Sequence, residues 1–359
     1  MADWSRFASA AFEKHIREVE DNLMKKRVIL ALLKKRGKIS YGNGGTKFDW
    51  RVKYARAPLL GYADADTLSF PRRNRWKVAE LDYRGYDISE SCTKKEWLAT
   101  KTQEGIVKIL NEIATNITDD MEDIFNGEIY LDGNGSGRGK FIHGLESCLA
   151  RHSSATGASG KTRDPDDSYA EWDTDLAAYG GTWTGDWPDG DGSAEYDFWS
   201  PILIDETNTT GWGTGSTFAL NGLKQVRFGI TKSQSRKSAK GKTDLVLMSD
   251  TDWVDFVELV EVKERVVTNR GQNNSAAISL GFDAINYLGA DIMWEPGVPA
   301  NTKYGINTSM MELLSMQPQL FVETGPEYRP ETKSYLCSVD FFGNLKMNPR
   351  SIFKIYPYT

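Results

Sequence analysis

The stretch Lys47-Phe48-Asp49-Trp50-Arg51-Val52-Lys53-Tyr54 alternates charged and apolar residues without a break. A period of two puts Phe48, Trp50, Val52 and Tyr54 on one face of a β-strand and the charged residues on the other. Turn formers follow, in Ala57-Pro58-Leu59-Leu60-Gly61-Tyr62 and Ala63-Asp64-Ala65-Asp66, mixed with large apolar side chains that continue to Phe70 and Pro71. A return segment through Trp76 and Val78 alternates more weakly. The simplest reading is a long β-hairpin with an apolar-aromatic tip. Strands of about ten residues reach on the order of 33 Å. A lone two-stranded hairpin is marginal in water, so its aromatic face has to pack, on this chain or on a neighbour.

Helical periodicity flanks the hairpin. Across residues 4–36, Trp4, Phe7, Ala8, Ala11, Phe12, Ile16, Val19 and Leu23 fall at three- and four-residue steps, and Gly37 supplies a stop. That apolar stripe needs cover from outside the helix. Residues 93–126 form the strongest helical pattern. Thr93 and Glu96 have capping-box spacing, and Leu98, Ile106, Ile109, Leu110, Ile113, Ile117 and Ile124 make the stripe. Such a helix is about 50 Å long and suits a strut. Residues 127–215 turn to Ser, Gly, Asp, Trp and Tyr, as loops do. Regular patterns then return: a helix over 218–230, a buried strand over 244–248, a helix over 252–267 with Trp253, Phe256, Val257 and Val260 on one side, and a strand over 291–295. The end, Tyr335 to Tyr356, reads as two strands around Phe342-Gly343-Asn344. The class is α+β, and 359 residues suggest two or more lobes.

Composition excludes several classes. Hydrophobic residues at 40% and charged residues at 26% argue against disorder. The longest apolar run, Val28 to Leu33, is far short of a membrane span, and the first residues carry no basic-then-apolar signal region. Three separated cysteines without a CxxC argue against a disulfide framework or a structural zinc site. Three histidines leave little material for histidine chemistry or metal binding. The net charge of −6 is unevenly spread: residues 1–56 hold fourteen Lys/Arg against six Asp/Glu, and residues 119–210 hold five against twenty. The basic end is solvated surface, or it meets an acidic partner, either nucleic acid or the acidic part of another copy.

Candidate chemistry fails on context. Ala155-Thr156-Gly157-Ala158-Ser159-Gly160-Lys161-Thr162 fits a relaxed phosphate-loop pattern, but polar residues precede it and Pro165 follows, where a strand and a helix are required. Asp186, Asp189, Asp191 and Glu195 with Trp183 and Trp187 supply the residue types of a glycoside hydrolase, yet no carboxylate pair stands out. The spacing of a calcium loop is absent. Cys148 and His152 lie four apart without a third orienting group. No catalytic, cofactor-binding or metal-ligating residue is assigned, and no cofactor is expected.

The sequence resembles the tailed-bacteriophage major capsid proteins. The resemblance rests on Gly37-Lys38-Ile39-Ser40-Tyr41 leading into Phe48-Asp49-Trp50-Arg51-Val52, on Thr93-Lys94-Lys95-Glu96, Tyr130-Leu131-Asp132-Gly133-Asn134 and Ile142-His143-Gly144-Leu145-Glu146, and on Glu195-Tyr196-Asp197-Phe198-Trp199-Ser200-Pro201 and Asp340-Phe341-Phe342-Gly343-Asn344. No one motif is diagnostic; their order is, over nearly the whole chain. The resemblance implies an N-terminal arm over 1–37 and an extended β-hairpin loop over 38–92. It further implies a peripheral domain of 93–139 and 335–359 with a long spine helix, and an axial domain over 140–334 with an acidic, loop-rich insertion about 150–215. It implies a non-enzymatic subunit of the virion capsid, assembled in the host cytoplasm into hexamers and pentamers around double-stranded DNA held without sequence preference. Scaffolding, portal and decoration proteins would be further partners, and no membrane is involved. Phe48, Trp50, Val52, Tyr54, Pro58, Leu59, Leu60, Tyr62, Phe70 and Pro71, with Trp4, Phe7 and Phe12 of the arm, are the candidates for contact between subunits. Arg6, Lys14, Lys25, Lys26, Arg27, Lys34, Lys35 and Arg36 either face the nucleic acid or pair with acidic surface on adjoining copies. A nanocompartment shell of the same fold and a carbohydrate-active enzyme using residues 164–199 are the alternatives.

Overall fold

The computed structural model describes residues 27–55, 57, 59–64, 66, 67, 69–95, 103–156, 160–175, 178, 198–235, 242–263 and 284–358. In chain order the elements are helix α1 (Val28–Lys35), strands β1 (Ile39–Ser40), β2 (Lys47–Lys53), β3 (Trp76–Asp82) and β4 (Arg84–Thr93), helix α2 (Gln103–Glu128), and strands β5 (Arg151–Thr156), β6 (Thr162–Pro165), β7 (Ser168–Tyr169), β8 (Trp172–Asp173) and β9 (Ile202–Asp205). Helix α3 (Phe218–Ser235), strand β10 (Leu245–Met248) and helix α4 (Asp250–Lys263) follow. The chain then runs through β11 (Ile285–Tyr287), β12 (Ala290–Trp294), β13 (Lys303–Ile306), β14 (Glu312–Ser315), β15 (Val322–Arg329), β16 (Ser334–Lys346) and β17 (Phe353–Tyr356).

Helix α1 is apolar on every side, and Val28 to Leu33 are all buried. A single helix over 4–36 is corrected: Arg27 is extended at φ −107°, ψ 118°, so the helix starts at Val28. An all-round apolar segment must be enclosed, whereas a one-sided stripe lies on a surface, and the chain changes course where the pattern changes. The stripe from Trp4 to Leu23 lies outside the described residues. At the other end Gly37 takes φ 62°. The Lys38 amide donates to the Leu33 carbonyl at 2.8 Å and the Gly37 amide to the Lys34 carbonyl at 3.0 Å. That is a Schellman close, and it needs glycine's left-handed freedom.

Helix α2 spans 26 residues, about 39 Å. Ile113, Ile117, Met121 and Phe125 line its buried side at steps of four. Phe125 packs edge-on against Phe341 and Phe321. Ile124, expected in the stripe, is exposed instead, because the buried row continues through Phe125. The helix lies over a sheet centred on β16, which pairs with β4 for ten residues on one edge, and with β15 and β14 on the other. Two expectations are corrected here. Arg84–Thr93 belongs to this sheet rather than to the extended loop. Phe342-Gly343-Asn344 is the interior of one 13-residue strand rather than a turn. Gly343 is required by closeness: a Cβ there would stand 2.1 Å from the Leu314 carbonyl oxygen.

The larger sheet has the order β11-β12-β10-β13-β17-β9-β6-β5. Strands β9, β10 and β13 are buried at every residue. Alternate residues face two separate cores: Ile202, Ile204, Val246 and Met248 meet α3 and α4, while Leu203, Leu245 and Leu247 meet the central core. Coverage on both faces explains why these strands lack alternation. The expected insertion over 150–215 is therefore not one exposed loop, since β6 and β9 are woven into this sheet. Strand β17, expected with the peripheral strands, also pairs here, with β9 and β13.

A polar knot ties the β16 sheet to the β2–β3 hairpin and to the segment that follows α2. The Asn344 Nδ2 donates to His143 Nδ1 at 3.0 Å and to the Asp82 carbonyl at 2.8 Å, and its Oδ1 accepts from the His143 amide at 2.9 Å. His143 Nε2 lies 3.0 Å from Asn134 Oδ1. Burial, followed by the nearby Arg84 charge, lowers the His143 pKa to about 4, so the ring is neutral and accepts at Nδ1. Asn134, His143 and Asn344 come from three of the motifs that order the sequence. Gly144 sits where a side chain would meet the carbonyls of Leu131, Ile129 and Glu128 within 2.6 Å.

The start of α1 holds a second buried ionisable group. The Glu295 carboxyl faces the Tyr130 hydroxyl, the Ile29 and Val28 amides and Arg27, and burial raises its pKa to about 7. Its ordinary value of 4.5 would return on unfolding. The folded state therefore holds a proton between pH 4.5 and 7 that the unfolded state releases, and the stability this contributes is lost as pH rises through 7. Glu295→Gln is expected to gain on the wild type by on the order of 3 kcal/mol between pH 4.5 and 8 in denaturant titrations of the monomeric chain. A difference that stays constant with pH would contradict this.

Candidate assembly interface

Strands β2 and β3 pair antiparallel over seven residues, Lys47 with Asp82 through Lys53 with Trp76. The hairpin of the sequence reading is present, and its aromatic face is covered by the chain's own body. Phe48 is 6% and Val52 9% exposed. The Trp50 ring lies 6.4 Å, centre to centre, from both Tyr169 and Trp199, which are themselves buried. Tyr54 packs at 6.0 Å from Phe198. Lys77, in the facing strand, places its ammonium 4.5 Å from the Trp172 ring, 5.0 Å from Tyr54 and 5.4 Å from Phe198. The Trp172 Nε1 donates to the Val78 carbonyl at 2.8 Å. Phe48 and Val52 are thus corrected as contacts between subunits, because they have no area left to offer. Trp50 and Tyr54 are half-buried in the same face. The opposing Asp49 and Glu80 put like charges across the outer face, and Lys47 offsets them by pairing with Glu80 at 3.4 Å and with Glu171.

Beyond Lys53 the ladder ends. Residues 54–75 contain no strand among those described, and the tip makes few internal bonds, such as Ala63 with Asp66. Leu59 is 99%, Leu60 62%, Tyr62 73% and Phe70 89% exposed. Pro71 is exposed as well. Pro58, and the arm candidates Trp4, Phe7 and Phe12, lie outside the described residues. On the outer face of β3, Trp76 and Val78 are 52% and 44% exposed, adding an apolar strip that the sequence reading missed. The alternation of Trp76 and Val78 against Ala79 and Leu81 was the available signal. Single exposed apolar residues are ordinary; a run of them along one projecting loop marks a contact surface.

The basic candidates separate into three sets. Arg27 pairs with Asp123 at 3.7 Å and Arg36 with Asp244, so both are engaged within the chain. Lys34 and Lys35 are exposed in the last turn of α1. Arg6, Lys14, Lys25 and Lys26 lie outside the described residues.

The enzymatic readings gain nothing from the geometry. The phosphate-loop match lies between β5 and β6, two antiparallel strands, where a strand followed by a helix is needed. Cys148 is buried, its Sγ 3.5 Å from the Leu145 carbonyl and 3.9 Å from Met347 Sδ, and burial raises its pKa. Asp186, Asp189, Asp191 and Glu195 lie outside the described residues. Among the described residues, no group of three or more His, Cys, Asp or Glu is placed to hold a metal ion.

No protein-family model and no curated protein matches the chain. Solved structures do. The capsid asymmetric unit of cyanophage A-1(L) superposes with a TM-score of 0.55 at 15% identity, covering 92% of this chain and 93% of that one. The capsid of the native GTA particle superposes with a TM-score of 0.53 at 9% identity, covering 90% and 89%. The chain has the fold of the tailed-phage major capsid subunits.

Trp50→Ala is expected to destabilise the monomeric chain by about 2–4 kcal/mol in thermal unfolding, because it leaves a hole beside the stacked Tyr169 and Trp199 rings. Leu59→Ser and Phe70→Ser should change it by less than about 0.5 kcal/mol. Equal sensitivity at base and tip would contradict the division drawn here.

Proposed function

We propose that this chain is the major capsid subunit of a tailed, double-stranded DNA phage, built into hexamers and pentamers of a closed shell. The observation that carries the reading is the loop over 54–75. Its base is locked to the body by Trp50, Lys77 and Trp172, and its tip carries Leu59, Leu60, Tyr62 and Phe70 into solvent. Burying each of these side chains is worth roughly 1.5–3 kcal/mol. Part of that gain is offset by the ordering of the loop and by lost rigid-body freedom. A neighbouring copy is the natural cover, because every subunit of a shell both offers a loop and receives one. Such a contact joins two different patches, and repetition of different-patch contacts closes rings and shells.

In this reading the interior meets packaged DNA through phosphate contacts only, since packaging must be indifferent to sequence. The exposed Lys34 and Lys35 remain candidates for it, and scaffolding, portal and decoration proteins remain candidate partners. The test is deletion of Pro58 to Pro71 from the full-length chain, followed by electron microscopy and sedimentation of the product. The expected outcome is a folded subunit that forms no closed particles. Normal shells from the deletion would overturn the role of the loop. Wild-type particles filled with protein cargo in place of nucleic acid would favour the nanocompartment reading.

A further inference from the structure

Helices α3 and α4 lie side by side on one face of the larger sheet and share its outer core. Their strands β9 and β10 run parallel to each other, as the β9–β17–β13–β10 ladder requires. Each helix begins beyond the C-terminal end of its strand and returns along the sheet, so both point the same way.

Their solvent faces carry opposite charge. Residues 208–243 contain seven Lys/Arg and no Asp/Glu, whereas residues 250–262 contain five Asp/Glu, of which only Asp252 is buried, against Lys303, and no Lys/Arg. The exposed stripe of α3 reads Leu220, Lys224, Arg227, with spacings of four and three. That of α4 reads Val254, Glu258, Glu261, with the same spacings. Leu220 is 61% and Val254 56% exposed, so each stripe opens on an uncovered apolar residue. Lys224, Glu258 and Glu261 make no ion pair or hydrogen bond with the described residues. Arg227 uses its Nε on the Tyr287 hydroxyl at 2.7 Å. Two stripes of one chain thus match in spacing and oppose in sign, and both face outward.

We propose that the α3 stripe of one copy docks on the α4 stripe of the next, with Leu220 against Val254, Lys224 against Glu258 and Arg227 against Glu261. This rests on the shell reading above and adds to it a surface distinct from the 54–75 loop. A rotation axis along the shared helix direction keeps docked helices parallel, so equal spacings along the two stripes run side by side. The contact joins two different patches, so its repetition closes a ring around that axis. The opposed charges select the register and the partner more than they add affinity.

The test uses the full-length chain. Lys224→Glu with Arg227→Glu makes both stripes acidic, and Glu258→Lys with Glu261→Lys makes both basic. The four changes together exchange the signs. Each pair alone is expected to lower the yield of closed particles about tenfold or more. The dissociated subunits should melt as the wild type does, and the four-fold variant should recover particles. Co-expression of the two pair variants should recover six-membered rings, in which the two can alternate, since each supplies the sign the other lacks. Wild-type yields from both pair variants, or no recovery in either the exchange or the mixture, would overturn the proposal. Loss of encapsulated nucleic acid at unchanged yield from the α3 pair alone would also overturn it, and would assign that stripe to nucleic acid. No particles from the wild-type chain would remove the shell reading, and this inference with it.

Discussion

The packing of Trp50 against Tyr169 and Trp199 is the interaction on which the rest depends. A two-stranded ribbon has one ladder of hydrogen bonds and two faces, too little to stand alone in water. Here one face is bought from the body of the same chain, and Lys77 is caged by Tyr54, Trp172 and Phe198 where the ribbon leaves it. The ribbon is thereby held at a defined angle with its apolar end outside. A loop anchored this way can present Leu59, Leu60, Tyr62 and Phe70 to a neighbour without the ordering cost of a wholly flexible segment.

The body itself is tied at two places. Asn344 and His143 join the β16 sheet to the segment leading into the larger sheet by buried hydrogen bonds, and Asn134 holds the outer side of the His143 ring from the surface. The apolar part of helix α1, Val28 to Leu33, is enclosed, with Glu295 at its first turn and Arg36, just past its end, paired to Asp244. The result is a subunit complete in its core and unfinished in its projecting loop, with charged helix faces on the outer layer of the larger sheet. The proposed shell role calls for that combination, because the body must keep its shape while each copy meets several neighbours.

Elements that display one face to water were legible in the sequence. Strand β2, helix α2, helix α3 and helix α4 each show their period, and the hairpin return was found from Trp76. The identity of the cover was not legible. Tyr169, Trp172, Phe198 and Trp199 lie more than a hundred residues beyond Trp50 and sit in a stretch that reads as acidic loop. Strands β6 and β9 were missed for a related reason: they are four residues long, and β9 is buried on both faces, so no alternation marks it. Gly343 read as a turn because glycine in a strand signals either a bend or a close approach, and only the Leu314 carbonyl distinguishes the two. The break at Arg27 went unread because apolar residues at helical steps stand on both sides of it, although the one-sided stripe gives way there to a run apolar on every side. The three residues of the polar knot stand in motifs that carry the resemblance, but their meeting required the fold.

Hydrogen exchange, read on intact particles and on subunits dissociated from them, addresses the central claim most directly. The account predicts that amides of residues 59–73 exchange quickly in the free subunit and at least about tenfold more slowly in the particle, while β2 and β3 are protected alike in both. The same fast exchange of 59–73 in both states would contradict it, as would protection already complete in the free subunit.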